Sequence, residues 1–388
     1  MSNRANSAAT AVTFSRTAKR LFLGITTASA FLASAASHAE TLGFVVTNWD
    51  FAGQFTAEGK TECPSGFNHD NRDNFRAQFK TLAEQQEAIN KYSSFEMRGR
   101  GPTGETDIYS PELIQDTLPY TDAKGTISNG VNLDGTVDGS ATPKTCAHTK
   151  LTSPDGRKDV DNQLYRVMGC NRQMRPDGIF DQFINNEIIT KQTNRWLVEI
   201  SDVDNRQNDD HVTVTVAHGL DKLVQDASGK FIPGLSQRID HALPRYIAKT
   251  TGKIVNGVLI TDPFTQILLP TTTFLEDGEH HFKNAVLRLQ LSADNAVGTF
   301  GGYHDVDRYY RFIAKTAGHH GVTMAISGPS IWAALKRNAD GFKDQSTGQC
   351  TAISASYDVK LVRAFIIDRP AVNAALESPR DISVAQAK

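Results

Sequence analysis

Period-two alternation dominates the second half of the chain. Val212, Val214 and Val216 alternate with Thr213 and Thr215, and Ala285, Leu287, Leu289 and Leu291 alternate with Asn284, Arg288 and Gln290. Successive side chains of a strand point to opposite faces, so each stretch reads as a half-buried strand. Apolar runs over Trp196–Ile200, Ile254–Ile260, Gln266–Phe274 and Tyr357–Ile367 predict further strands, rich in the β-branched and aromatic residues that sheets favour. Glu40–Phe55, with Leu42, Phe44, Val45, Val46, Trp49 and Phe51, predicts a first strand ahead of them. Asp-Gly pairs at Asp155, Asp177 and Asp277 punctuate the pattern as hairpin turns do.

Helical spacing is confined to shorter stretches. Phe75, Phe79, Leu82 and Ile89 share one stripe and predict a helix over Asn74–Phe95, with Asp70, Asn71 and Asp73 as capping residues. Glu87 and Lys91 add an i,i+4 pair on its wet face. Phe180, Phe183, Ile184 and Ile188 predict a second helix. Val306, Tyr309, Tyr310 and Ile313 predict a third, preceded by a tight turn at Gly301-Gly302, capped by Asp305 and stopped by Gly318. Ile331, Ala334 and Leu335 predict a fourth, with Pro329 in its first turn and Gly341 beyond its end. Arg98–Lys144 is rich in Gly, Thr, Asp, Ser and Pro and reads as a long loop. Inside it, Asn132–Asp138 shares half the spacing of a calcium loop, but Asn129 and Gly130 stand where an acid belongs, so it reads as a solvated turn.

Strands that do not alternate regularly with helices exclude a doubly wound sheet. The pattern predicts a mainly β fold with helical decorations (α+β), built as an antiparallel β-sandwich or jelly roll. The first helix would pack on one face or end, or belong to a separate small N-terminal lobe.

Charge and length then set the address. Arg4, Arg16, Lys19 and Arg20 precede an apolar run from Leu21 to Ala36, and Ser37-His38-Ala39 offers small residues where a signal peptidase reads. Residues 1–39 therefore read as a signal peptide cleaved after Ala39. Lys19-Arg20-Leu21-Phe22-Leu23 loosely resembles a twin-arginine signal, although an ordinary secretory leader fits better. The remainder divides into 40–145 (strand, helix and long loop), a β-rich main domain over 146–370 and a flexible tail over 371–388. Removing the leader takes the formal charge from −2 to −6, which argues against nucleic acid and anionic membranes as partners. No later stretch is long and apolar enough for a membrane helix.

Cys63, Cys146, Cys170 and Cys350 form an even set behind an export signal and read as two disulfides. Of the three connectivities, Cys146–Cys170 with Cys63–Cys350 closes the shortest loop, of about 25 residues, and would contribute ~3 kcal/mol. No C-x-x-C spacing supports a zinc knuckle, a thioredoxin-like site or haem attachment.

Candidate chemistry centres on a repeated quartet, Asp159-Val160-Asp161-Asn162 and Asp202-Val203-Asp204-Asn205, the second continuing to Asp209 and Asp210. In an extended segment the two acids of a quartet point the same way, which suits a hard cation held by carboxylate and amide oxygens. Asp159, Asp161, Asn162, Asp202, Asp204, Asn205, Asp209 and Asp210 are thus candidate calcium ligands; water-facing turns are the alternative. His280-His281 and His319-His320 offer imidazoles, but neighbouring strand residues face opposite ways, so these read as solvated loops. Gly59-Lys60-Thr61 is not a phosphate loop, because Gln54 stands where its first glycine belongs. The chain carries no G-x-S-x-G elbow and no H-E-x-x-H motif. Three functional classes follow. The first is an exported, calcium-stabilised binding or scaffold protein whose ligand is a carbohydrate or cell-surface component. The others are a secreted hydrolase of polysaccharides or esters and an exported metal or redox protein.

Overall fold

A computed structural model describes residues 39–56, 60–93, 96–101, 103–104, 110–158, 160–176, 178–273, 276–319 and 326–369. Residues 1–38 and 370–388, which include most of the expected signal peptide and the whole expected tail, lie outside the described residues, as do Asp159, Asp177 and His320. In chain order the elements are β1 (Glu40–Phe51), β2 (Gln54–Phe55), α1 (Asn71–Arg76), α2 (Leu82–Lys91), β3 (Ile127–Ser128), α3 (Gln163–Met168) and α4 (Ile179–Thr190). There follow β4 (Trp196–Val203), β5 (Asn208–His218), β6 (Leu235–Arg238), β7 (Ala248–Val255), β8 (Val258–Thr261), β9 (Phe264–Thr273), β10 (Glu276–Leu291) and β11 (Asn295–Asp305). The last are α5 (Val306–His319), α6 (Gly328–Asn338), β12 (Gly341–Lys343) and β13 (Cys350–Ile367).

Eight of these strands, β1, β4, β5, β7, β8, β10, β11 and β13, pair antiparallel in that order, and β13 returns to β1 to close the sheet into a barrel. This corrects the expected sandwich or jelly roll. Gly43–Phe51 pairs with Tyr357–Ala364, so the first and last strands consume the two edges that a sandwich would leave open. The alternation is that of any one-sided sheet; here the buried face is the barrel lumen. Leu42, Phe44 and Val46 point inward, a bulge between Val46 and Asn48 shifts the phase, and Trp49 and Phe51 continue the inward face. Val198, Ile200, Val212, Val214, Leu259, Leu287, Leu289 and Leu361 belong to the same core. Outward neighbours Lys249, Lys253, Gln290 and Lys360 are exposed, the reverse of a barrel that faces lipid. No helix among the described residues is long and apolar enough to cross a membrane.

Trp49, Trp196, His280, Phe282, Phe300 and Tyr357 meet toward one end of the barrel, with Trp49 and Tyr357 ring centroids 4.6 Å apart. Around that end α4 packs on β1, α5 on β10 and β11, and α3 and α6 on β13. A smaller outer core (Val45, Leu197, Ala217, Ile239, Val362 and Ala364) lies under the 219–247 excursion, where β6 runs parallel to the end of β13. The two-stranded β2–β3 ladder and the long loop after it lie against the β13 side, where Ala52 N donates to Ser356 O and Ser128 N to Thr152 O.

Several local expectations change. The helix over 74–95 is two helices, because Thr81 and Glu84 form a reciprocal capping box that starts α2 afresh. Leu82, now in the first turn of α2, is 82 % exposed rather than part of an apolar stripe. Ile254–Ile260 is not one strand but the β7–β8 hairpin, turned at Asn256 and Gly257 with φ of 51° and 74°. Asp277-Gly278 lies inside β10 opposite Thr272 and Thr271. Gly301-Gly302 is not a turn but mid-strand in β11, where a Cβ on Gly301 would come within 2.4 Å of Val131. Asp305 does cap α5, its Oδ1 accepting from Arg308 N at 3.1 Å. The disulfides are Cys63–Cys170 and Cys146–Cys350, with Cα separations of 5.7 and 6.1 Å, instead of the shorter-loop pairing. The second ties the long loop to the start of β13, and both close loops that sequence distance alone disfavours.

Candidate metal centre

Three stretches on the outer side of β13 converge on one point. Among the described residues, one grouping of three or more metal-ligating side chains has donor atoms all within 4.8 Å of one another: Asp134, His148 and Asp161. Their side chains are 0, 2 and 0 % exposed.

Each residue is placed by local chemistry. Asn132 opens an Asx turn in which its Oδ1 accepts from Gly135 N at 2.6 Å, and Gly135 takes a φ of 79°. Asp134 Oδ1 then accepts from Thr136 N at 2.8 Å, which turns Oδ2 inward to within 3.4 Å of Thr145 Oγ1. His148 is fixed from both sides: its N–H donates to Gly139 O at 3.0 Å, and Cys146, two residues earlier, is bonded to Cys350 and donates to Asp340 O at 2.8 Å. Asp161 pairs with Val131 in an isolated bridge; its N–H donates to Val131 O and its carbonyl accepts from Ser356 Oγ. Asp340 follows α6 and donates its N–H to Ala352 O, while its Oδ1 accepts from Ser354 N at 2.7 Å.

His148 Nε2 lies 3.3 Å from Asp134 Oδ2 and 3.3 Å from Asp161 Oδ1. Its Nδ1 faces the Thr149 carbonyl at 3.3 Å, the contact that commonly leaves Nε2 free to coordinate. Between an imidazole lone pair and two carboxylate oxygens something positive has to sit: a proton or a metal ion. One proton does not balance three buried acids. Asp161 Oδ2 accepts from Leu133 N at 2.5 Å, but Asp161 Oδ1 and Asp340 Oδ2 are buried with no hydrogen-bond donor among the described residues. Isolated buried carboxylates of this kind are costly.

The titration behaviour reflects that crowding. Burial, reinforced by Asp340, pushes the Asp161 carboxyl far above the ordinary 3.8, against the pull of His148. Burial pushes Asp340 up to about 6, opposed by the Ser354 hydrogen bond. Burial alone draws His148 down, but the charges of Asp161 and Asp340, together with hydrogen bonds to the Thr149 carbonyl and Asp134, leave the imidazole above its usual value. Donor spacing also fits a metal: ligands about 2.0–2.1 Å from a tetrahedral Zn²⁺ lie roughly 3.3–3.4 Å apart.

The sequence-derived ligands separate into two groups. Asp161 stands in the centre. Its neighbour Asn162 is buried but committed elsewhere, donating to Ala52 O and Ser128 Oγ and accepting from Ser356 N. The second quartet forms the β4–β5 turn. Asp202 accepts from Thr213 Oγ1, Asn205 from Gln207 N and Asp209 from Asp204 N, Asn205 N and His211 N; Asp204 and Asp210 are exposed. Asp134 falls in what the spacing predicts as a solvated turn, and His148 belongs to no motif; the signal available for both is the half calcium loop followed by a histidine two residues past a cysteine. His280, expected in a solvated loop, is 5 % exposed within the barrel's aromatic cluster.

Leu133, Asp134 and Thr145 also line a cleft of about 480 Å³ shared with Tyr303, Phe342 and Lys343. No family model, curated protein or solved structure matches this chain.

Proposed function

We propose that this is an exported binding protein whose outer loops are locked by a divalent metal ion at Asp134, His148 and Asp161, with Asp340 as a further acidic partner. The observation that carries the reading is Asp161 Oδ1, buried without a hydrogen-bond donor among the described residues and 3.3 Å from His148 Nε2. Side chains 0–2 % exposed support a closed, structural centre rather than an open catalytic one. A mixed imidazole and carboxylate set suits Zn²⁺ or Mn²⁺ better than Ca²⁺, which takes about six to eight oxygens. Two disulfides and the absence of a membrane-length helix among the described residues are compatible with an extracytoplasmic location. The leader reading of residues 1–39 supports export.

Elemental analysis of untagged protein purified without chelator tests the proposal. Roughly one equivalent of metal per chain is expected, and its loss in His148→Ala. Protein that arrives without metal and takes up neither Zn²⁺, Mn²⁺ nor Ca²⁺ on dialysis refutes it.

A further inference from the structure

The cleft beside the metal centre has features of its own. Two of its lining residues, Asn284 and Phe342, hold φ of 49° and 53°, and they are two of the four non-glycine residues with positive φ among those described. Asn284 sits at the bulge between Lys283 and Val286, where β10 carries one residue more than β11. Phe342 is bulky, and a left-handed backbone there is strained. It is held in place by the Tyr303 ring, edge-on with centroids 5.6 Å apart, and by Lys283 Nζ 5.0 Å from its ring centroid. Strained residues of this kind concentrate where a ligand is gripped.

Charge indicates what is gripped. The cleft carries Lys144 and Lys343, neither ion-paired among the described residues, and its one acidic lining residue is Asp134, whose carboxylate belongs to the metal centre. The segments bearing the two lysines are joined directly, Lys343 N donating to Lys144 O at 2.8 Å. The volume, about 480 Å³, suits a small molecule.

We infer that this cleft binds a small oxyanion, a phosphate or carboxylate group attached to a flat or apolar body, with Lys144 and Lys343 on the anion and Phe342 and Tyr303 against the body. The inference rests on the metal reading only in that the metal holds the Leu133–Asp134 and Thr142–Thr145 wall.

Isothermal titration of metal-loaded protein with phenyl phosphate, benzoate and inorganic phosphate tests it, with metal content measured in each sample. Saturable binding of phenyl phosphate or benzoate is expected, whichever is tighter identifying the anion, with inorganic phosphate weaker than phenyl phosphate. The paired substitution Lys144→Ala, Lys343→Ala should weaken binding about tenfold or more while metal content stays unchanged. Phe342→Gly should weaken binding while metal content stays unchanged, relief of the left-handed backbone offsetting part of the packing lost against Tyr303. Metal-loaded protein that binds none of the three anions overturns the inference and leaves the metal proposal standing. So does binding indifferent to both lysines. Binding by a chain that never takes up metal overturns the metal proposal alone.

Discussion

Replacing Asp161 with asparagine separates the two states of the centre, because it has opposite consequences in each. Without metal, Asp161 is an acid buried beside Asp134 and Asp340 with one oxygen lacking a donor. Asparagine keeps an oxygen for Leu133 N and replaces a carboxyl that is neutral only while protonated with a group that is neutral at every pH. Relief of an unsatisfied buried polar group is worth about 1–3 kcal/mol, so metal-free Asp161→Asn should be more stable than metal-free wild type. The sign with pH follows from the raised folded-state pKa. The native chain keeps a proton that the unfolded chain releases above 3.8, so the wild-type metal-free protein loses stability as pH rises and the variant's advantage grows from about pH 4 upward. Asp340, pushed up to about 6, acts the same way over the window from 3.8 to 6 and is present in both proteins. With metal the order narrows or reverses. Metal at 100 times its Kd adds about 2.7 kcal/mol to wild type, and a variant binding 100-fold more weakly gains only about 0.4 kcal/mol. Urea unfolding of both proteins, with chelator and with Zn²⁺ or Mn²⁺, reads all four numbers. Equal metal-induced gains in the two proteins, or a variant less stable than wild type under chelation, would show that Asp161 is not a ligand in a cation site.

Removing the Cys146–Cys350 bridge by paired serine substitution should cost several kcal/mol, up to about 5 by chain entropy, and also weaken metal binding, since it anchors the His148 loop; the Cys63–Cys170 pair should affect unfolding alone. Metal titration of both variants distinguishes the two bridges. His280 is buried with neither ring nitrogen hydrogen-bonded among the described residues, and burial draws its pKa down to about 4. As pH falls through 6.5 the unfolded chain takes up that proton first, so the contribution present above 6.5 drains away toward pH 4, by about 3 kcal/mol at most. His280→Phe should therefore stabilise by about 1–2 kcal/mol at pH 7, with a margin that widens on acidification; a constant margin from pH 7 to 4 contradicts the burial argument. Gly301→Ala should destabilise by about 1–3 kcal/mol through collision with Val131, seen as a lower denaturation midpoint.

Most strands were legible because each carries its own alternation over a few residues. Closure was not. The pairing of Val45 with Val362 joins residues at opposite ends of the chain, and no local pattern distinguishes a lumen from the inside of a sandwich. The β7–β8 hairpin is masked by the continuous apolar run around it, although Asn256-Gly257 is itself a turn signal. β11 hid for a different reason: Gly298, Gly301 and Gly302 give it little apolar pattern, and their purpose is room for neighbours such as Val131. Of the centre, Asp161 showed itself through its quartet, whereas Asp134 carried an Asx-turn signature that reads identically in water and in a buried loop. The long loop that carries it is tied to the start of β13 by Cys146–Cys350, a bond that spacing alone could not assign.

β13 lies between β11 and β1, the last strand of the barrel inserted beside the first. A nascent chain stopped anywhere before it has two open edges and no lumen. The polypeptide therefore cannot close its lumen until residues near 367 are free to dock, so the final cooperative step of folding waits for almost the whole chain.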